Sequence, residues 1–200
     1  MSVFNTSVDR LMRGLVVRRM RPQIRYDRGD TAIIVVTSAR AVRPGELPNG
    51  EELMRWARAA DISVFSTSTN QLADTGASPK RRSGDEFDDL PADALDLRSG
   101  LAANDVVLDP FPGLSAFTNP ALLTALADRQ LDRVIIVGSR TDVEIDSTAR
   151  DATEAGLHTT VISDCCTGSS AVGHRATVDI TLPRLVHAVL TLAELRALTR

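Results

Sequence analysis

L-D-R-V-I-I-V-G-S-R-T-D-V-E-I-D-S-T-A, Leu131 to Ala149, is the stretch whose reading decides the fold. Val134 to Val137 is a short run of branched apolar residues, the composition of a strand buried on both faces of a parallel sheet. Gly138 ends the run. Thr141 lies three residues further on, where it can cap a helix, and Glu144 three beyond it completes an S/T-x-x-E capping box. A strand that turns sharply into a helix aims the helix N-terminus, with its free N–H groups and positive dipole end, at whatever lies above the sheet. In α/β proteins chemistry gathers there.

The chain of 200 residues fits one domain of ordinary size with a substantial core. Hydrophobic residues at 43% and charged residues at 24% describe a soluble globular protein, and a net charge of -3 argues against nucleic acid as the main partner. The longest apolar runs are five or six residues, far below the roughly 20 of a membrane helix, and the N-terminus lacks the apolar centre of a signal peptide. A cytoplasmic protein with no membrane partner is expected. The two cysteines, Cys165 and Cys166, are adjacent, a poor arrangement for a structural disulfide with each other and one that suits a reducing compartment. Lys80 is the single lysine.

Along the chain, residues 1 to 30 read as an N-terminal helical extension, with Val8, Leu11, Met12, Leu15 and Val16 at helical spacing before Arg18, Arg19, Arg21 and Pro22. Residues 31 to 200 read as a single domain. Thr31 to Val36 is a buried strand, Leu47 to Ala60 a helix with Leu53, Trp56 and Ala60 on one face, and Ile62 to Ser66 a second strand ending in S-T-S-T-N-Q. From Ser68 to Gly100 large apolar residues are few and periodicity is weak, which fits either disorder or a lid and interface loop. Strands follow at Asp105 to Leu108 and His158 to Ser163, with a helix at Asn119 to Arg129 capped by Asn119 and opened by Pro120. A helix near Ala171 to Ile180, an apolar run at Val186 to Leu190 and a last helix from Ala193 complete the chain. Strands alternate with helices, the signature of βαβ units and a parallel sheet covered on both faces.

There is no G-x-G-x-x-G opening a helix, no Walker-type G-x-x-x-x-G-K-[ST] and no G-x-S-x-G elbow, so nucleotide binding and α/β-hydrolase chemistry have no support. The combined pattern of T-A-I-I-V-V, L-S-A-F (114 to 117), G-S-R-T-D-V-E-I-D-S-T-A (138 to 149), A-G-L-H-T-T-V-I-S-D (155 to 164) and H-R-A (174 to 176) resembles the isochorismatase-like, or cysteine hydrolase, superfamily. The resemblance runs from about Thr31 to the C-terminal helix. It implies a Rossmann-like three-layer sandwich around a six-stranded parallel sheet in the order 3-2-1-4-5-6, and a homo-oligomer, usually a dimer or tetramer.

The same resemblance removes the family's usual mechanism. Amidase members place a cysteine at the N-terminus of the helix after the fourth strand, an aspartate at the end of the first strand and a lysine just before S-A-F. The corresponding residues here are Glu144, Thr37 and either Pro110 or Phe111. A thiolate nucleophile needs a base and a positive environment, and the aligned positions supply neither. Isochorismatases dispense with the cysteine but keep the aspartate and lysine, so isochorismate hydrolysis by the family mechanism is not expected. The D-x-H of metal-binding nicotinamidases is replaced by S-T-S-T-N-Q. Neither a metal nor another cofactor is expected.

What remains is a set of polar residues where the family pocket lies. Glu144, Asp109 and Thr37 are the candidate catalytic positions; Arg40, Phe111, Ser115, Phe117, Thr141 and Gln71 are candidates for substrate binding. Glu144 is either a general base, or a clamp for a cationic group, or only the capping-box glutamate, and the helix dipole favours its ionised form. Asp109 is either a site residue at a strand's C-terminal end or ordinary Asp-Pro turn chemistry. Cys165 and Cys166 read as buried, inert thiols, and His174 and His187 as packing or surface groups. Two expectations follow: an enzyme acting on a small metabolite by a cysteine-independent hydrolysis, elimination or cyclisation, or an inactive pseudoenzyme serving as a binding or assembly subunit.

Overall fold

The computed structural model describes residues 25–38, 48–70 and 104–198. The predicted N-terminal helix, and the 68–100 stretch beyond residue 70, lie outside the described residues. Among the described residues seven parallel strands form one sheet: β1 (Thr31–Ser38), β2 (Ser63–Asn70), β3 (Val106–Val107), β4 (Phe111–Pro112), β5 (Arg133–Gly138), β6 (His158–Cys166) and β7 (Ala188–Leu190). Their order is β3-β2-β1-β5-β6-β7, with β4 pairing β2 beyond β3. Counting β3 and β4 as one broken lane gives six lanes in the order 3-2-1-4-5-6. The helices are α1 (Gly50–Ala59), α2 (Pro120–Asp128), α3 (Asp146–Glu154), α4 (Ala171–Ala176) and α5 (Leu192–Leu198).

The sheet's centre is apolar on both faces. Ala32 to Val36 and Val134 to Val137 have no exposed surface, and β1 and β5 run in register from Thr31 opposite Arg133 to Val36 opposite Gly138. Such a strand has no solvent face, so its residues do not alternate in polarity. The helices behave differently. In α1, Leu53 and Ala57 are fully buried, one turn apart, while Trp56 and Ala60 are half-buried. Asn119 caps α2 as its type predicts, its Oδ1 accepting from Ala121 N at 3.0 Å, with Pro120 at the first position.

β2 and β6 run further than their apolar cores. Ile136 pairs Val161, but Gly138 pairs Cys166, so Val137 alone faces residues 162 to 165. This bulge carries the Asp-Cys-Cys segment into the strand rather than into a loop. The helix expected at Ala171 to Ile180 is α-helical only to Ala176, then continues as a π turn (Thr177–Thr181) and a 3-10 turn (Leu182–Arg184). Among the described residues no helix is long and apolar enough to cross a membrane.

Candidate active site

The site is built where β5 ends. Gly138 has φ +148, and a Cβ there would stand 1.8 Å from the Val36 carbonyl oxygen. Only glycine lets β5 pass so close to β1. Three backbone hydrogen bonds then fix the turn: Ser139 N donates to Val36 O (3.0 Å), Thr167 N to Gly138 O (3.0 Å) and Thr141 N to Thr167 O (2.7 Å). Arg140 takes the left-handed conformation, φ 55, and Thr141–Ile145 winds as a π turn that leads into α3.

The predicted capping box does not form. Arg140 precedes the first helical turn, without a side-chain cap. Its left-handed backbone and the wide π turn direct Thr141 towards α4, where its Oγ1 lies 2.8 Å from His174 Nδ1. Glu144 instead reaches Arg140, Oε1 to Nη1 at 2.9 Å, with the Thr69 hydroxyl at 3.5 Å. Asp142 fastens the neighbouring loop, its Oδ1 accepting from Ser169 N at 2.8 Å, and Gly173 leaves room for its other oxygen.

Glu144 is 1% exposed. Its Oε2 has no hydrogen-bond partner among the described residues. Burial pushes the carboxyl above its ordinary value, outweighing Arg140, the residue's own backbone amide and the Thr69 contact, which pull it down. The expectation that the helix dipole would favour the ionised form is overturned by this desolvation. A carboxyl held up in this way keeps its proton to higher pH than an ordinary glutamate does, which suits a group that hands a proton to a substrate.

The other expected residues are only partly brought together. Thr37 is fully buried and its Oγ1 also has no partner among the described residues. It pairs with Ser68, so strand alternation sets it on the sheet face opposite Thr67 and Thr69. No described hydrogen bond joins it to Glu144. Asp109 is exposed, and its backbone carbonyl accepts from Asn119 Nδ2 at 3.1 Å. Ser115 is buried and caps the 3-10 turn Ala116–Thr118, its Oγ accepting from Phe117 N at 3.2 Å; Phe117 packs into the core. That turn is tied to α3 by Ala116 N donating to Thr148 Oγ1 at 3.1 Å. Phe111 enters β4 opposite Thr69. Arg40 and Gln71 lie outside the described residues.

Sequence reasoning passed over Arg140 and His174 as site residues, and within the polar run 66–71 it singled out Gln71 rather than Thr67 and Thr69. The Arg140–Glu144 spacing of four residues was a signal for an ion pair. No local pattern joins Thr141 to His174. Cys165 and Cys166 are buried as expected, and both thiols are raised chiefly by burial, Cys166 to about 12, so neither supplies thiolate at neutral pH. Among the described residues no group of three or more His, Cys, Asp or Glu could hold a metal ion.

Comparison with known proteins agrees with this architecture. Over 78 residues the chain is 38% identical to a nicotinamidase of Acinetobacter baylyi, and over 70 residues 31% identical to YecD, an uncharacterized isochorismatase family protein of Escherichia coli O157:H7. Those stretches cover 39% and 35% of this chain but only 36% and 37% of the relatives, so the chain spans little more than a third of their length. A cysteine hydrolase from Pseudomonas syringae superposes with a TM-score of 0.66 at 20% identity, over 90% of this chain and 98% of that one. The YcaC gene product of Escherichia coli, an octameric hydrolase of unknown specificity, gives 0.66 at 15%, over 90% and 84%. At these identities the likeness is one of fold. The Isochorismatase domain model, however, matches residues 37–193, most of the chain. With the strand order and the strand–glycine–turn site, that match places the chain in the isochorismatase family.

Proposed function

We propose that this protein is an isochorismatase-family enzyme that acts on a small metabolite by a cysteine-independent acid/base reaction, of the hydrolysis, elimination or cyclisation type, with Glu144 as the proton-transferring group. The observation that carries this reading is a carboxyl 1% exposed, anchored through one oxygen by Arg140 and left without a described partner on the other. A buried acceptor is ordinarily satisfied, and the exceptions concentrate where a ligand or a reaction supplies the missing partner. Arg140 orients the carboxyl, and Thr69 lies against the same oxygen. The buried cysteines favour a reaction without a thiolate. A relative that is a nicotinamidase and a fold neighbour that is a cysteine hydrolase support hydrolytic chemistry, and the octameric neighbour supports a homo-oligomer.

The test is to incubate the wild-type chain and Glu144→Gln with a small-molecule extract and follow by mass spectrometry which compounds are consumed. The expected result is one or a few masses consumed by wild type alone, with both proteins unfolding at similar temperatures. Equal consumption by the variant removes Glu144 from the mechanism. Consumption by neither supports an inactive binding subunit.

A further inference from the structure

What the protein leaves unfinished around Glu144 defines the ligand that completes it. Oε1 is engaged by Arg140, whereas Oε2 is buried and has no described partner. Thr67 lies two residues before Thr69 on β2, so alternation sets it on the same sheet face as Thr69, whose hydroxyl is at Glu144. Its own Oγ1 is buried and without a described partner. Two polar atoms on one face therefore call for hydrogen-bonding groups that the described protein does not supply.

Arg140 adds the second half of the recognition. A guanidinium carries five N–H donors in a rigid fork, and Glu144 engages the Nη1 end at 2.9 Å. The Arg140 side chain is 24% exposed, and no other hydrogen bond of its fork is described, which leaves N–H donors for a ligand. Those donors suit a planar anion, which they can meet with two parallel hydrogen bonds. A phosphate dianion is the poorer fit, because its second charge would face the Glu144 carboxyl in a buried setting. Since Arg140 and Glu144 touch each other, the ligand's anion and its donor must be close neighbours too.

The geometry points to a site for a small carboxylic acid that carries an O–H or N–H donor on the carbon next to the carboxylate. Arg140 takes the carboxylate, Glu144 Oε2 accepts from the adjacent donor, and Thr67 meets the remaining polar edge. This rests on reading Glu144 as the group that faces the substrate, and it narrows the substrate class to 2-hydroxy and 2-amino acids.

Calorimetric titration of the full chain with lactate, mandelate and phenylalanine, each beside its primary amide and the acid that lacks its 2-hydroxyl or 2-amino group, tests the assignment. At least one of the three acids should bind at least tenfold more tightly than both of its matched analogues. Arg140→Lys keeps the charge but loses the fork, and should weaken that acid at least tenfold while leaving the amide unchanged. The wild-type series stands even if that variant fails to fold. Equal binding of the acid, its amide and the acid without the 2-substituent, or no binding across the panel, overturns the site. Binding without turnover keeps the site and removes the catalytic reading; turnover of a neutral metabolite that Glu144→Gln abolishes, with no acid bound, does the reverse.

Discussion

Glu144 holds its proton more tightly in the folded chain than a free glutamate does, because burial outweighs the pull of Arg140 and Thr69. The folded state therefore binds more proton than the unfolded state at any pH between the ordinary value of 4.5 and the raised one. Stability from this group is fully present below about 4.5 and is lost as pH rises through the folded value. Glutamine keeps the shape and does not titrate. Urea unfolding across pH should accordingly show the stability difference between wild type and Glu144→Gln moving in favour of glutamine as pH rises from 4.5. A difference that stays flat, or moves towards wild type, would mean that Arg140 and not burial governs the carboxyl. The sequence marked Glu144 as a candidate. It could not give the sign of this shift, because helix dipole and burial oppose each other and only the tertiary packing says which is larger.

At the scale of one element, the strand–turn–helix from Leu131 to Ala149 was legible where its physics is local. The branched run Val134 to Val137 became β5, Gly138 became the break, and a helix followed. The turn's winding was not legible, since the partners that set it, His174 at Thr141 and Thr167 across the turn, come from later in the chain. Capping-box spacing is therefore satisfied in sequence and unused in structure. Gly138 makes the sharper prediction here. Alanine at that position would combine a positive φ with a Cβ 1.8 Å from a backbone oxygen that cannot rotate away. Gly138→Ala should lose roughly 3 kcal/mol or more, read as an early urea midpoint and loss of native circular dichroism. A variant that unfolds within a degree or two of wild type would show that β1 and β5 can separate at no cost.

For the whole molecule, the alternation of apolar runs with helical segments indicated a covered parallel sheet, and the family pattern supplied its strand order. The sequence did not reveal how the sheet's outer lane is held. Val106–Val107 and Phe111–Pro112 are too short to dock by ladder bonds alone, and Asp105, read from sequence as the first residue of a strand, stands just outside one. Its carboxylate is 1% exposed, meets Arg58 of α1 through two N–H groups at 3.0 and 2.5 Å, and accepts from Val64 N at 3.1 Å, one residue before β3 begins to pair β2. The side chain thus continues the ladder where the backbone has not yet joined it. Asp105→Ala leaves the Val64 amide without that acceptor, while Arg58, 31% exposed, can turn partly to water. The expected cost is about 1–3 kcal/mol, below that of breaking a wholly buried pair. Because β1 and β5 are sealed on both sides, the loss should open the edge before the centre. Hydrogen exchange should quicken at Val64, Phe65 and Leu108, whose amide donates to Ser66 O at 2.9 Å, while Ile33 to Val36 and Val134 to Val137 keep their protection. Equal acceleration in β1 and β5 would instead make the sheet one cooperative unit with Asp105 as part of its core.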